Sequence, residues 1–182
     1  MLKKKLKIFT VIIILFVLVY NFLLSDLNPM FKDSEFVYLT NKLKETQKEN
    51  LKPITDIYIK IHKTVEEKRC SCEITTNYIG PYRHGFSLTK KIYLLKIEKE
   101  FTHNECLKFE LLNSDYLFGN IGIKEASKYY FNKTVEELNE EEKITFIVML
   151  DNPSLYNPIR RKEKVKNKVR LYQEILHKKN GC

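Results

Sequence analysis

Hydrophobic positions fall into one unbroken run and a series of shorter periodic stretches. Residues 8–24 read Ile-Phe-Thr-Val-Ile-Ile-Ile-Leu-Phe-Val-Leu-Val-Tyr-Asn-Phe-Leu-Leu, without a charge. As a helix this run rises roughly 25 Å, close to the ~30 Å hydrocarbon core of a bilayer. It predicts a membrane-spanning helix with Tyr20 as an interfacial anchor. Beyond it, 36–47 predicts a helix. Over 54–68 the apolar Ile54, Ile57, Ile59, Ile61 and Val65 fit helix and strand periods equally imperfectly. Gly80, Pro81 and Gly85 mark the stretch between Cys70 and Thr89 as a loop. Residues 88–101 are apolar and basic by turns, with Ile92, Leu95 and Ile97. Thr102-His-Asn-Glu105 is a capping-box pattern that opens a helix to about Asn113. Gly119 and Gly122 bracket a turn, and 123–131 predicts the next helix. Thr134-Val-Glu-Glu137 and Asn139-Glu-Glu-Glu142 repeat the capping pattern. The second opens an apolar helix over 144–150 that stops before Pro153. After Pro158 a basic helix runs to about His177, with Val165, Val169, Tyr172 and Leu176 on one face. The predicted class is mainly α.

Charge changes this picture at the two ends. The chain of 182 residues carries 32 Lys and Arg against 23 Asp and Glu, a net +9. Lys3, Lys4, Lys5 and Lys7 supply four of these charges, and the stretch from Ile159 onward a surplus of seven. Subtracting both leaves −2 between Ile8 and Pro158, so a uniformly basic nucleic-acid binder is excluded and no nucleic-acid partner is expected. The basic flank before the apolar run should stay in the cytoplasm and send the rest outward. No small-x-small cleavage pattern follows the run, which favours an uncleaved anchor over a signal peptide. The expected organisation is a basic tail over 1–7, the anchor over 8–24, a juxtamembrane segment over 25–50 and a domain over 51–178. The expected location is the inner (cytoplasmic) membrane, single-pass, with the C-terminal domain outside the cytoplasm.

Hydrophobic residues make up 43% of the chain, enough for a packed core, and Gly 5 and Pro 5 are too few for a turn-rich all-β protein. Cys70 and Cys72 are spaced for neither a zinc pair nor the usual redox dithiol. In an outward compartment Cys106 or Cys182 can pair with one of them. The bland alternative, small buried or free thiols, outweighs metal binding, and no metal ligands are assigned.

The second half carries a resemblance. Residues 116–131, Tyr-Leu-Phe-Gly-Asn-Ile-Gly-Ile-Lys-Glu-Ala-Ser-Lys-Tyr-Tyr-Phe, resemble the Y-F-G…G-I-x-x-A-A-x-x-Y-F-G-K stretch of peptidoglycan glycosyltransferases. These are the family-51 transglycosylase domains of penicillin-binding proteins and monofunctional transglycosylases. Asn132-Lys133 stands where that family has Gly-Lys. Leu138 to Glu142 resembles its L-x-x-x-E, and Asn152-Pro-Ser-Leu-Tyr-Asn-Pro158 its A-P-S-x-Y-N-P. Residues 160–176 are similar to its closing helix. Upstream, Phe101-Thr-His-Asn-Glu-Cys-Leu107 resembles its Y-S-K-D-E-I-L step, with Glu98 as the preceding Glu. The resemblance covers 95–176. It implies a lysozyme-like helical transglycosylase domain, reduced in size, behind an N-terminal transmembrane helix. Ile123, Ala126, Ile147 and Leu150 should pack together within its helical lobe.

The first half departs further from the family. Its catalytic motif, E-D-x-x-F-x-x-H-x-G, is matched at best by Glu66-Glu-Lys-Arg-Cys70. Glu66 then takes the place of the catalytic Glu, Glu67 that of the Asp and Cys70 that of the Phe, while the His and Gly are missing. His84 is a stray candidate for that His, against the plainer reading of an ordinary surface or satisfied histidine. Gly85-Phe-Ser-Leu-Thr-Lys-Lys91 resembles a shortened G-x-S-T-x-T-Q-Q with lysines for glutamines. In Lys90-Lys91-Ile-Tyr-Leu94, Leu94 occupies the place of the Glu in R-K-x-x-E.

Glycosyl transfer needs a base for the acceptor hydroxyl and cations for the departing diphosphate. The resemblance implies Glu66 as the base. It implies Glu67, Arg83, Ser87, Thr89, Lys90, Lys91 and Glu98 as substrate-binding groups, joined by Lys168 and Arg170 of the closing helix. Each has a plainer reading as a solvated charge, loop punctuation or the outer face of a packed helix. Tyr156, Asn157 and Pro158 read as structural. No cofactor is certain, and a divalent cation at the diphosphate stays open. The implied partners are lipid II or peptidoglycan, the membrane and cell-wall synthesis proteins. The function so implied is glycan-strand polymerisation from lipid II. Two alternatives stand beside it: a catalytically impaired relative that binds lipid-linked substrate, glycan or a cell-wall partner, and an anchored scaffold.

Overall fold

The structure is a computed structural model, and it describes residues 2–65, 70–79 and 88–178. Its first helix, α1 (Leu2–Leu23), is about 33 Å long at 1.5 Å per residue. Within it Lys4–Leu23 is long and apolar enough to cross a membrane, and its side chains touch nothing that buries them. The helix therefore begins earlier than the apolar run and takes in most of the lysine flank.

A helical body follows. Asn28 caps a short 3₁₀ turn, Pro29–Lys32, and Asp33 caps α2 (Ser34–Thr46) by accepting from the Glu35 N–H. The ambiguous stretch is a helix, α3 (Lys52–Val65). Ile54, Tyr58 and Ile61 are its buried stripe, at helical spacing, whereas Ile59 faces outward and had blurred the period. Then come α4 (Ser71–Thr75), a 3₁₀ turn (Thr76–Tyr78), and α5 (Leu88–Glu100). The sequence pattern had read the region of α4 and its 3₁₀ turn as loop. The predicted capping box at Thr102 opens α6 (His103–Asn113), and the one at Asn139 opens α8 (Glu140–Asp151). Between them lies α7 (Ile123–Phe131), and the chain closes on α9 (Lys162–His177). Thr134 makes half of the remaining box, its N–H donating to Glu137 Oε2, but only a turn follows. Among the described residues there is no strand, only an isolated antiparallel bridge between Asp115 and Ile121.

Two apolar clusters hold the body. The larger joins α3, α6, α7, α8 and α9 around Tyr116, Phe146 and Tyr172, and it includes Ile123, Ala126, Ile147 and Leu150 as expected. Edge-on ring contacts of Phe131 and Tyr130 with Phe146 connect α7 to α8. The second cluster joins Leu24, Phe31, Phe36, Leu39 and Leu43 to Tyr93, Ile97 and Phe101 of the α5 region and to Cys106 and Phe109 of α6. The stretch after α1, expected as a juxtamembrane segment, is thus packed into the helical body.

Candidate functional site

The second cluster determines where α5 and its candidate substrate-binding residues lie. Phe36 stacks on Tyr93 with ring centroids 5.2 Å apart, and Phe31 meets both rings. Beside them Lys96 is only 4% exposed. Its ammonium donates to Asp26 Oδ1 at 2.6 Å and to the Leu24 carbonyl at 3.2 Å, and it pairs with Glu100 Oε1 at 2.6 Å. Burial opposes the charged amine, yet Asp26 and Glu100 outweigh it and raise the Lys96 pKa. The hydrogen bond and charge of Lys96 in turn lower the pKa of Asp26. Lys96 thus ties the end of α1 to α5. Its signal in the sequence was its position beside Ile97 in an otherwise apolar stripe.

On α5 the candidate groups face the 70–79 segment. Lys90 Nζ donates to Asn77 Oδ1 at 2.6 Å. One end of the same helix brings Glu98 to Cys70, whose Sγ donates to Glu98 Oε1 at 3.8 Å. Thr89 is half-buried, Lys91 is exposed, and Leu94 is half-buried in the place of the missing carboxylate. Glu66, Glu67, Arg83, His84 and Ser87 lie outside the described residues. The chain ends that flank them are Val65, Cys70, Ile79 and Leu88. Lys168 and Arg170 sit on α9, which packs on α3 and α8 in the larger cluster. There Lys168 Nζ lies 4.6 Å from the Tyr172 ring centroid, while Arg170 is exposed. The candidate groups therefore occupy two parts of the body, α5 against 70–79 and the outer side of α9.

The cysteines resolve one question left open by the sequence. Cys72 and Cys106 form a disulfide, so they are not free thiols. Among the described residues Cys70 keeps its thiol. No group of three or more His, Cys, Asp or Glu side chains among the described residues is placed to hold a metal ion.

The motif residues of the second half converge on one structural knot. Tyr130 Oη donates to the Tyr116 carbonyl at 2.6 Å and accepts from Asn157 Nδ2 at 3.0 Å. Asn157 is fully buried, and its Oδ1 accepts from the backbone N–H groups of Ile159 and Arg160. Burial raises the Tyr130 pKa although Asn157 opposes this. The Arg160 guanidinium covers the Phe118 ring at 4.7 Å. Asn132 ends α7 in the left-handed region, φ 53°, a conformation that glycine and then asparagine tolerate best. Lys133 pairs with Glu142 at 2.7 Å, tying this turn to the capping box of α8.

A family model described as Transglycosylase matches residues 87–177, half of the chain. The chain belongs to the transglycosylase family. Penicillin-binding protein 4 of Bacillus subtilis is 29% identical over 90 residues, which cover 48% of this chain and 14% of that protein. Penicillin-binding protein 2a of Streptococcus pneumoniae is 32% identical over 71 residues, 38% of this chain and 10% of that protein. Penicillin-binding protein 1A of Clostridium botulinum is 38% identical over 71 residues, covering 38% and 8% respectively. The chain thus spans no more than about a seventh of the length of these relatives. The transglycosylase match takes in Ser87, Thr89, Lys90, Lys91, Glu98, Lys168 and Arg170 and the whole Tyr116–Tyr130–Asn157 knot. It begins after Glu66, Glu67 and Arg83. Within the matched span the knot residues are bonded to one another across α7 and the 152–160 turn.

Proposed function

We propose that the chain is a membrane-anchored peptidoglycan glycosyltransferase-like protein that acts on lipid II with its body outside the cytoplasm. The transglycosylase match over 87–177 carries this reading. Supporting it are α1, which is apolar enough to span, and the lysines at its start, which favour a cytoplasmic N-terminus. The Cys72–Cys106 disulfide suits an oxidising, outward compartment.

In this reaction Glu66 takes the proton of the acceptor hydroxyl as its oxygen attacks the anomeric carbon of the donor sugar. The bond from that carbon to the lipid diphosphate breaks with inversion. Arg83, Lys90 and Lys91 then hold the charge that gathers on the diphosphate. Keeping the lipid tail in the bilayer is favoured by roughly 0.8 kcal/mol per CH₂, so the reaction belongs beside the anchor. The buried Lys96 link between Leu24 and α5 supports that placement. Lys168 and Arg170 contribute to the diphosphate or to anionic headgroups from the closing helix.

A second reading, binding of the lipid-linked substrate without robust polymerisation, is favoured by Leu94 in place of a carboxylate. Glu98, one turn along α5 and touching Cys70, is the candidate acid to stand in for it. The test is glycan-strand synthesis from purified lipid II by the full chain, with Glu66→Gln alongside. Slow polymerisation that Glu66→Gln abolishes supports the enzyme. Binding of lipid II with no polymer from either protein supports the second reading.

A further inference from the structure

The 70–79 segment is too short to hold its own shape. Isolated helices need about 12–15 residues to persist in water, and α4 has five. It is nevertheless seated deeply, with Ser71, Cys72, Thr75 and Thr76 all buried. Cys72 is bonded to Cys106, itself fully buried near the start of α6. From that seat the segment reaches α5 at two points. Cys70 touches Glu98 near one end of α5, and Asn77 accepts from Lys90 near the other. Lys90 and Glu98 are eight positions apart, or about 12 Å along the helix. The segment therefore lies along α5 and sets both groups from a single covalent attachment. Tyr78 adds a tie to α6, its Oη donating to the Asn113 carbonyl at 3.0 Å. The ring closed by the disulfide, separation 34 in sequence, contains all of α5. Cys70 and Ile79 are also the chain ends from which the stretches bearing Glu66 and Arg83 depart.

We propose that the Cys72–Cys106 disulfide is a positioning device: it clamps 70–79 to α6 so that Lys90 and Glu98 of α5 are held in register for substrate. Its effect on turnover rests on the glycosyl-transfer reading above, while its effect on α5 does not. Neither cysteine touches the substrate in this role. The larger cluster, in which Leu107 and Leu111 of α6 meet α3, α7, α8 and α9, contains neither Cys72 nor Cys106 and should keep its packing when the bond is opened. Reduction by a dithiol delivers two electrons and two protons to the cystine. The products are the thiols of Cys72 and Cys106 and the cyclic disulfide of the reagent.

The experiment uses the full chain in lipid nanodiscs, oxidised, reduced and reoxidised, together with Cys72→Ala/Cys106→Ala. Hydrogen exchange by mass spectrometry is read beside lipid II polymerisation. Reduction should speed exchange in 70–79 and α5 while leaving α8 and α9 protected. It should lower kcat about 10–100-fold, as a misplacement near 1 Å does, with a smaller change in KM, and reoxidation should restore both. The double variant should match the reduced protein. Unchanged exchange in α5 on reduction overturns the inference, as does simultaneous loss of protection in α8 and α9, which marks a merely global staple. Full turnover of the reduced protein with α5 loosened overturns it too. If the oxidised protein neither binds nor polymerises lipid II, the glycosyl-transfer reading fails, and the exchange pattern alone decides the clamp.

Discussion

Gly122 shows how much a single side chain can decide here. Its φ is +81°, and a Cβ at this position would collide with the Leu112 carbonyl oxygen. Gly122→Ala must therefore strain the backbone and push α6 from the turn, costing roughly 2–3 kcal/mol, to be read by urea unfolding. Lys96 fails differently. Lys96→Met removes the ammonium but leaves the Leu24 carbonyl and Glu100 without it, which should cost roughly 1–3 kcal/mol in the same measurement. Glu105 and Glu142, both partly buried, contribute to acid sensitivity beside the exposed Asp26 and Glu137, whose carboxyls are also lowered. Burial opposes ionisation of Glu105, but bonds from Thr102 and Gln47 outweigh it and lower the pKa. Burial likewise opposes Glu142, and Lys133 with the Asn139 N–H prevails. Both folded values lie below the ordinary 4.5. Their stabilisation is thus complete above that value and drains away as pH falls through it toward the lower folded values. Thermal unfolding followed from pH 7 to 3 (about those limits, set by the carboxylate range) should show the midpoint falling only below the ordinary Glu value. Glu142→Gln should flatten part of that fall and cost about 1 kcal/mol at neutral pH.

Helices with an amphipathic stripe or a capping box could be read directly from the chain. The boxes at Thr102 and Asn139 opened α6 and α8 where they were expected, because each pairs a side-chain acceptor with a returning Glu. The stripe Val165, Val169 and Tyr172 placed α9 for the same local reason. Three features resisted, the last two through a contact remote in sequence. Ile59 on the open side of α3 imitated a strand period. In α5 the buried Lys96 and the exposed Leu88 and Leu95 invert the usual pattern, since a distant Asp26 makes burial of the amine tolerable. Finally, α4 owes its seat to Cys106 rather than to periodicity. The candidate site divided in the same way: motif order nominated Lys90 and Glu98, but only the fold supplied Asn77 and Cys70 as their neighbours. Chain-entropy reasoning for the disulfide-closed ring gives roughly 3–4 kcal/mol of stabilisation. Unfolding of the oxidised protein in guanidinium should exceed that of Cys72→Ala/Cys106→Ala by about this amount.

An exposed apolar helix, a body with two apolar clusters and a transglycosylase match over its second half make one physical arrangement. The second cluster and Lys96 couple the end of α1 to α5, so on the proposed reading substrate at α5 would lie beside the membrane-spanning helix. The larger cluster carries the motif knot and keeps α7, α8 and α9 in place. Polymerisation of radiolabelled lipid II by the oxidised full chain, with Glu66→Gln in parallel, joins these parts in a single assay. Glycan strands should form slowly with the native chain and be absent with Glu66→Gln, while lipid II still binds both. Undiminished strand synthesis by Glu66→Gln would contradict the assignment of the base, and absence of both binding and synthesis by the native chain would contradict the glycosyltransferase reading itself.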